Sequence, residues 1–333
     1  MNVDVHTSLT RIADLENRSY DIESRPREQW RRGEYVFARV VRRPDPGVTI
    51  ENAQGRHVEL MEGETIVSAF GTRKATRGMV GGWREIGDDN RMASMTYGGV
   101  LGKVTSASPF SRNPIELEYE GHVHIDGDPV RMDEYAVTAE STALDTPVVL
   151  VLGTSMSSGK TMSGRVITHV LDENGYDVAG CKLTGAGTYG DVLSMEVAGA
   201  DPIYDFVDAG LPTTVVPEET FRDAVRPILH RMQEADVIVA EVGASPLEPY
   251  NGEAAVDLLD EQVAFTALCA TDPYAVVGIE EAFGCRPDLV AGIATNTTAG
   301  IDLIERLTEC AALNLLDEET KEPLETMLLD ALG

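Results

Sequence analysis

Lysine is the scarcest charged residue in this 333-residue chain: five stand against 22 arginines, at positions 74, 103, 160, 182 and 321. Positive charge is short overall, with 27 Lys plus Arg facing 56 Asp plus Glu and a formal net charge of -29. A general nucleic-acid or membrane-surface protein needs positive charge, so that excess argues against both. It leaves room for a small anion held by a local positive cluster. Acid excess with little lysine suits a salt-filled cytoplasm, where screening relieves self-repulsion, and is read as a halophile's signature. Most surface Asp and Glu then serve solvation, and each surviving lysine is informative.

Long apolar runs are also missing. No stretch of 18 apolar residues occurs, which excludes a transmembrane helix. The start of the chain carries Asp4, Asp14 and Glu16 without an apolar segment, unlike a signal peptide. A cytoplasmic protein is expected. The four cysteines, 181, 269, 285 and 310, have no CxxC or metal spacing and read as buried reduced thiols. His122 and His124 alternate on one strand face. A polar strand face is expected there, with a metal pair as the alternative.

What is present is a core-forming composition, 43% hydrophobic and 25% charged, in a chain long enough for about two domains of ~150 residues. Residues 1–32 carry six acids and six bases, 33–144 carry 17 and 12, and 145–333 carry 33 and nine. The boundary is placed near 140–146, at Ser141-Thr142 and Asp145-Thr146-Pro147. Residues 1–32 read as a helical arm of one or two short helices. Residues 33–144 read as a β-rich domain, a small barrel or sandwich, with strands at Tyr35–Val41, His57–Leu60, Thr65–Phe70, Met92–Tyr97, Ile115–Tyr119 and His122–Ile125. After Pro147, apolar runs of strand length alternate with helical patterns. That is the pattern of an α/β domain with a parallel sheet covered on both faces.

Val148–Leu152 is followed by Gly153-Thr154-Ser155-Met156-Ser157-Ser158-Gly159-Lys160-Thr161. A buried strand, a small-residue loop and a helix start are what a phosphate loop requires. Backbone N–H groups of such a loop point at anionic oxygens. Lys160 would reach the β/γ phosphates, and the Thr161 hydroxyl would bind Mg²⁺. The glycine stands one residue earlier than in G-x-x-x-x-G-K-[ST], which leaves a Ser/Gly-rich turn as the bland alternative.

This form, G-T-x-x-x-x-G-K-T, resembles the loop of dethiobiotin synthetase and amidotransferase-type cobyrinate synthases, members of the SIMIBI class of P-loop NTPases. It is similar also to the DUF1611 family, which likewise places an extra domain before the loop. The resemblance spans residues 148 to about 315. Ala179–Gly185 resembles K-P-V-x-x-G of the synthetase, with Leu183 in place of proline. The resemblance gives Lys182 the task of stabilising charge on the transferred phosphoryl group; a salt-bridged surface lysine is the alternative. Asp236–Ala244 resembles D-x-x-x-V-E-G-A-G, with Val242 in place of a glycine, and makes Glu241 a Mg²⁺ carboxylate. A second Mg²⁺ carboxylate is implied near Asp191, with Asp205 and Asp208 as competitors. Gly292–Asn296 resembles the strand whose Asn reads the base, and no N-K-x-D guanine signature is present, which favours ATP. The extra early loop lysine of the dimeric switch ATPases is replaced by Ser155.

Residues 71–91 gather Arg73, Lys74, Arg77, Arg84 and Arg91 among glycines. They read either as a clamp for an anionic substrate or as a loop paired with acidic surface. The expectation is an ATP- and Mg²⁺-dependent, ligase-like enzyme that activates a small carboxylate-bearing substrate, with a homodimer or higher homo-oligomer implied by family habit. The alternative is a nucleotide-controlled interaction protein whose β domain binds a partner.

Overall fold

The computed structural model describes residues 3–42, 44–139 and 144–333, so Ser141 and Thr142 lie outside the described residues. The chain groups into two compact units. The first comprises 1–138 with two later excursions, 186–190 and 206–216; the second comprises 139–185, 191–205 and 217–333.

Among the described residues, twelve strands build the first unit: β1 (Val5–His6), β2 (Asp21–Glu23), β3 (Tyr35–Val40), β4 (Thr49–Glu51), β5 (His57–Glu59), β6 (Thr65–Ala69), β7 (Thr72–Lys74), β8 (Met79–Gly82), β9 (Arg91–Ser94), β10 (Leu101–Ala107), β11 (Ile115–Ile125) and β12 (Asp128–Pro129). The main path runs β1-β6-β3-β11-β9-β10-β8-β7. A bridge between Phe70 and Leu101 returns β10 to the end of β6, so five strands close on themselves as a small barrel. Its interior is apolar, with Val36, Ala38, Ile66, Phe70, Leu101 and Leu117 among the buried residues.

Three sequence expectations change here. Residues 1–32 form 3-10 turns at Ser8–Ala13, Leu15–Asn17 and Arg27–Gln29 together with β1 and β2, which pair with β6 and β11. The runs 115–119 and 122–125 are one strand, irregular between Tyr119 and Gly121. Residues 72–82 are a hairpin, and its glycines are needed for close packing: a Cβ on Gly81 would lie 2.2 Å from the Lys103 carbonyl oxygen.

His122 and His124 do not form a polar face, because both are buried. Tyr119 and His122 are joined by a 2.7 Å hydrogen bond at Nδ1, and His122 Nε2 lies 3.2 Å from Glu34 Oε2. Arg25 donates to Glu34 Oε1 at 2.6 Å, and Trp30 packs on the Tyr119, His122 and Phe70 rings. The neutral imidazole, protonated on Nε2, satisfies every partner at once. Among the described residues no group of three or more His, Cys, Asp or Glu side chains could hold a metal ion. A second buried acid, Glu51, accepts the backbone N–H groups of Tyr189 (2.7 Å) and Gly190 (2.8 Å), both in the first excursion of this unit.

Among the described residues, the second unit holds a seven-stranded parallel sheet. Its strands are β13 (Val148–Gly153), β14 (Val178–Thr184), β15 (Ile203–Asp205), β16 (Val237–Val242), β17 (Val263–Cys269), β18 (Leu289–Ala291) and β19 (Ala311–Ala312). The order β15-β14-β16-β13-β17-β18-β19 puts β13 between β16 and β17. The helices are α1 (Lys160–Glu173), α2 (Gly190–Glu196), α3 (Glu218–Arg231), α4 (Gly252–Leu259), α5 (Pro273–Phe283), α6 (Thr298–Thr308) and α7 (Lys321–Leu332). The continuous apolar strands are buried throughout: Val148–Leu152 and Val237–Ala240 are each at most 2% exposed. A parallel sheet covered on both faces requires this. Among the described residues no helix is long and apolar enough to cross a membrane. The four cysteines are free, three of them buried and Cys285 partly so.

Burial holds the His122 imidazole below its ordinary value of 6.5, even though Glu34 pulls the other way. A depressed histidine stabilises the fold above pH 6.5 and loses that contribution as the pH falls below it. His122→Phe should lower thermal stability at pH 8 by about 1–3 kcal/mol, because it leaves Tyr119 and Glu34 short of a partner. It should also flatten the decline in melting temperature below pH 6.5. An unchanged acid limb would refute the assignment.

Candidate phosphate-loop site

The site is assembled at the carboxyl ends of β13, β14 and β16, with β16 between the other two strands. Ligands bind outside the carboxyl ends of strands in open α/β sheets. Gly153 ends β13, and a Cβ there would lie 2.6 Å from both Lys160 Cδ and Ser158 Oγ. The loop then turns through Ser157, a non-glycine residue at φ 60°, and Gly159 at φ 106° before α1 begins at Lys160. Thr154 is tied sideways to β17: its N–H donates to Cys269 O (3.0 Å) and its hydroxyl accepts from Thr271 N (3.1 Å).

Lys160 is buried and turned back into its own loop. Its ammonium donates to Ser155 O at 2.9 Å and lies 3.5 Å from Ser158 Oγ. Burial pushes its pKa down, with Glu241 opposing the shift. A cation parked on one carbonyl in a nest of small residues is poised for a stronger acceptor, such as a phosphate oxygen.

The Thr161 hydroxyl lies beside two carboxylates. It donates to Glu241 Oε2 at 3.1 Å and stands 3.5 Å from Asp191 Oδ1. Lys182 forms an ion pair with Asp191 Oδ2. The parallel register explains part of this grouping. Lys182 is level with Glu241 across β14 and β16, and with Asp205 across β14 and β15. Residues level on neighbouring strands direct their side chains to the same face. Burial works against the Lys182 charge, but Asp191 and Glu241 outweigh it and hold its pKa raised. The Glu241 pKa is raised as well, which for a carboxyl favours the neutral form: burial raises it despite the two nearby lysines.

The donor set of one hydroxyl and two carboxylates is hard oxygen throughout. It fits Mg²⁺, which takes one or two carboxylates and completes its shell with phosphate and water. The structure thus gathers Gly153, Ser155, Ser158, Gly159, Lys160, Thr161, Lys182, Asp191 and Glu241. Asn296 stands exposed at the end of the Ile293–Thr295 turn, and its backbone N–H bonds locally to Ile293 O (3.2 Å). The competing Asp208 pairs with Arg11 inside the first unit, and Asp205 is buried at the end of β15.

Sequence reasoning missed what supports the phosphate loop from the side. Gly292, at φ 85°, brings Ile293 N to within 3.2 Å of Ser158 O. A Cβ on Gly292 would lie 2.2 Å from that same oxygen. The only sequence signal was a glycine directly after a strand.

In the first unit, several members of the 71–91 basic cluster are already engaged. Arg91 pairs with Glu118 at 3.4 Å, Arg84 lies over the Trp83 ring, and Arg73 donates to the Met95 carbonyl. This favours the structural reading of the cluster over the anion clamp.

No family model matches the chain, and no curated protein matches it. Solved structures to which the chain is similar include the signal recognition particle receptor FtsY from Elizabethkingia anophelis, at 13% identity and TM-score 0.38, over 57% of this chain and 66% of that one. A DUF1611 family protein from Anabaena variabilis gives 17% identity and TM-score 0.38, over 59% and 60%. HypB from Helicobacter pylori in complex with nickel gives 14% identity and TM-score 0.37, over 56% and 87%. At such scores the likenesses assign no activity to this chain.

Gly292→Ala should force the Ser158 carbonyl to move and impose a strained φ on alanine. Urea denaturation should show a loss of about 1–3 kcal/mol. A variant as stable as the wild type would show that this contact does not brace the loop.

Proposed function

We propose that the second unit binds a Mg²⁺-nucleotide and transfers its terminal phosphoryl group. The carrying observation is a single constellation. A small-residue loop between a buried strand and a helix holds Lys160 inside it, and Thr161 at the helix start stands against two carboxylates. Main-chain amides of the loop and Lys160 would seat the phosphates. Thr161, Asp191 and Glu241 would hold Mg²⁺, which neutralises charge on the phosphate oxygens. Lys182, kept charged by its carboxylate neighbours, would stabilise negative charge on the far side of the transferred group. Catalysis of this kind is positioning and charge neutralisation.

The finer reading is an ATP-dependent ligase-like enzyme. It would activate a small carboxylate-bearing substrate as an acyl or carbamoyl phosphate, which a nucleophile then attacks. The resemblance of the loop and of the Lys182 and Glu241 stations supports this reading, as does the presence of a second buried lysine beside the first. Asn296 would read the base.

Calorimetric titration of Mg-ATP, Mg-GTP and Mg-ADP in molar KCl, into wild type and Lys160→Ala, tests the core of this reading. ATP should bind, and affinity should fall by about 100-fold or more in the variant, as expected when a charge-assisted phosphate contact is removed from a water-poor site. Failure of folded wild type to bind any of the three would end the nucleotide reading.

A further inference from the structure

One carboxylate in the site faces two groups at once, a charged ammonium and a neutral hydroxyl. Asp191 presents Oδ2 to Lys182 and Oδ1 toward Thr161, 3.5 Å away. Lys182 is 9% exposed along its side chain and Asp191 is 24% exposed, so water screens the pair only partly. Thr161 also donates to Glu241 Oε2 at 3.1 Å, which marks the other side of the oxygen donor set. A dication held by these oxygens would sit within a few ångströms of the Lys182 ammonium. Two cations drawing on one carboxylate weaken each other's hold on it.

We propose that Asp191 is an exchangeable counter-ion: it neutralises Lys182 while no divalent cation is bound, and turns to the cation when the Mg²⁺-nucleotide arrives. Lys182 is thereby released to an oxyanion, a carboxylate or carbamate, only once the nucleotide is in place. The anion site is made by the first ligand, which orders the addition of ligands. The idea rests on the nucleotide reading above and adds to it a coupling between Lys182 and the cation, carried by a single side chain. The structure supplies the reason for coupling: the β14 lysine and the helix-borne acid have each other as close ion partners. Glu241, level with Lys182 in the sheet, contributes at longer range.

The test is a double-mutant cycle read by calorimetry with ADP, with and without Mg²⁺. The proteins are wild type, Lys182→Met, Asp191→Asn and the double variant, with Lys182→Gln as a second replacement should the first unfold. The quantity followed is the gain in ADP affinity that Mg²⁺ confers. Removing Lys182 should raise that gain by about three- to tenfold when Asp191 is present and by clearly less in the Asp191→Asn background, where only longer-range repulsion remains. Equal effects of Lys182→Met in both backgrounds would overturn the exchange while leaving nucleotide binding intact. A smaller Mg²⁺-dependent gain in Lys182→Met than in wild type would overturn it as well. Absence of ADP binding to wild type, in contrast, would remove the nucleotide reading and the exchange with it.

Discussion

Opposite charges buried at the carboxyl end of a parallel sheet set the terms for the second unit. Lys160 and Lys182 are two of only five lysines, and both are buried beside Glu241. An isolated buried ammonium or carboxylate costs several kcal/mol, so such groups persist only as a mutually compensating set. Each member constrains the others. Glu241 is pushed toward its neutral form by burial while Lys182 is kept charged by its neighbours. Replacing any one member leaves another uncompensated. Fold and proposed chemistry therefore draw on the same few side chains.

The parallel sheet was legible because its strands are buried on both faces and spell out unbroken apolar runs. Val148–Leu152 and Val237–Glu241 needed no long-range information. The phosphate loop was legible for a similar reason, since its signal is contiguous: small residues, Gly159, Lys160 and Thr161 in nine positions. What could not be read were features made by pairing across long separations. The strand β10 begins in a glycine-rich stretch that carries no alternation, and it exists because Gly102 lets it pass close to Gly82. The bracing of Ser158 by Gly292 joins residues 134 positions apart and leaves only a lone glycine as a trace. Helix α5 does leave a local signal: Asp272 caps it through the N–H groups of Tyr274 and Ala275, and Pro273 opens it.

The barrel of the first unit shows how a polar network can sit inside an apolar core. Glu34, His122, Tyr119 and Arg25 each satisfy a neighbour, and Trp30 covers them. The alternation of His122 and His124 correctly placed both on a strand. It could not say which face the strand would bury, because histidine patterns resemble solvent patterns when their hydrogen-bond partners are distant in sequence. The basic stretch 71–91 illustrates the opposite case. Its charges were conspicuous in the sequence, yet several are absorbed by neighbours within the same unit.

The two excursions at 186–190 and 206–216 bear on how the chain is made. Glu51 is synthesised well before Tyr189 and Gly190, whose amides are its buried partners. The hydroxyl of Thr213 likewise donates to the carbonyl of Thr72, far upstream. During synthesis the first unit is thus incomplete when residue 138 has emerged, and it waits for residue 216. At usual elongation rates that interval is on the order of ten seconds. Until then a carboxylate destined for burial must remain in water. Although it is encoded mostly in the first part of the chain, the first unit is finished only after the stretches 139–185 and 191–205 of the second have been translated.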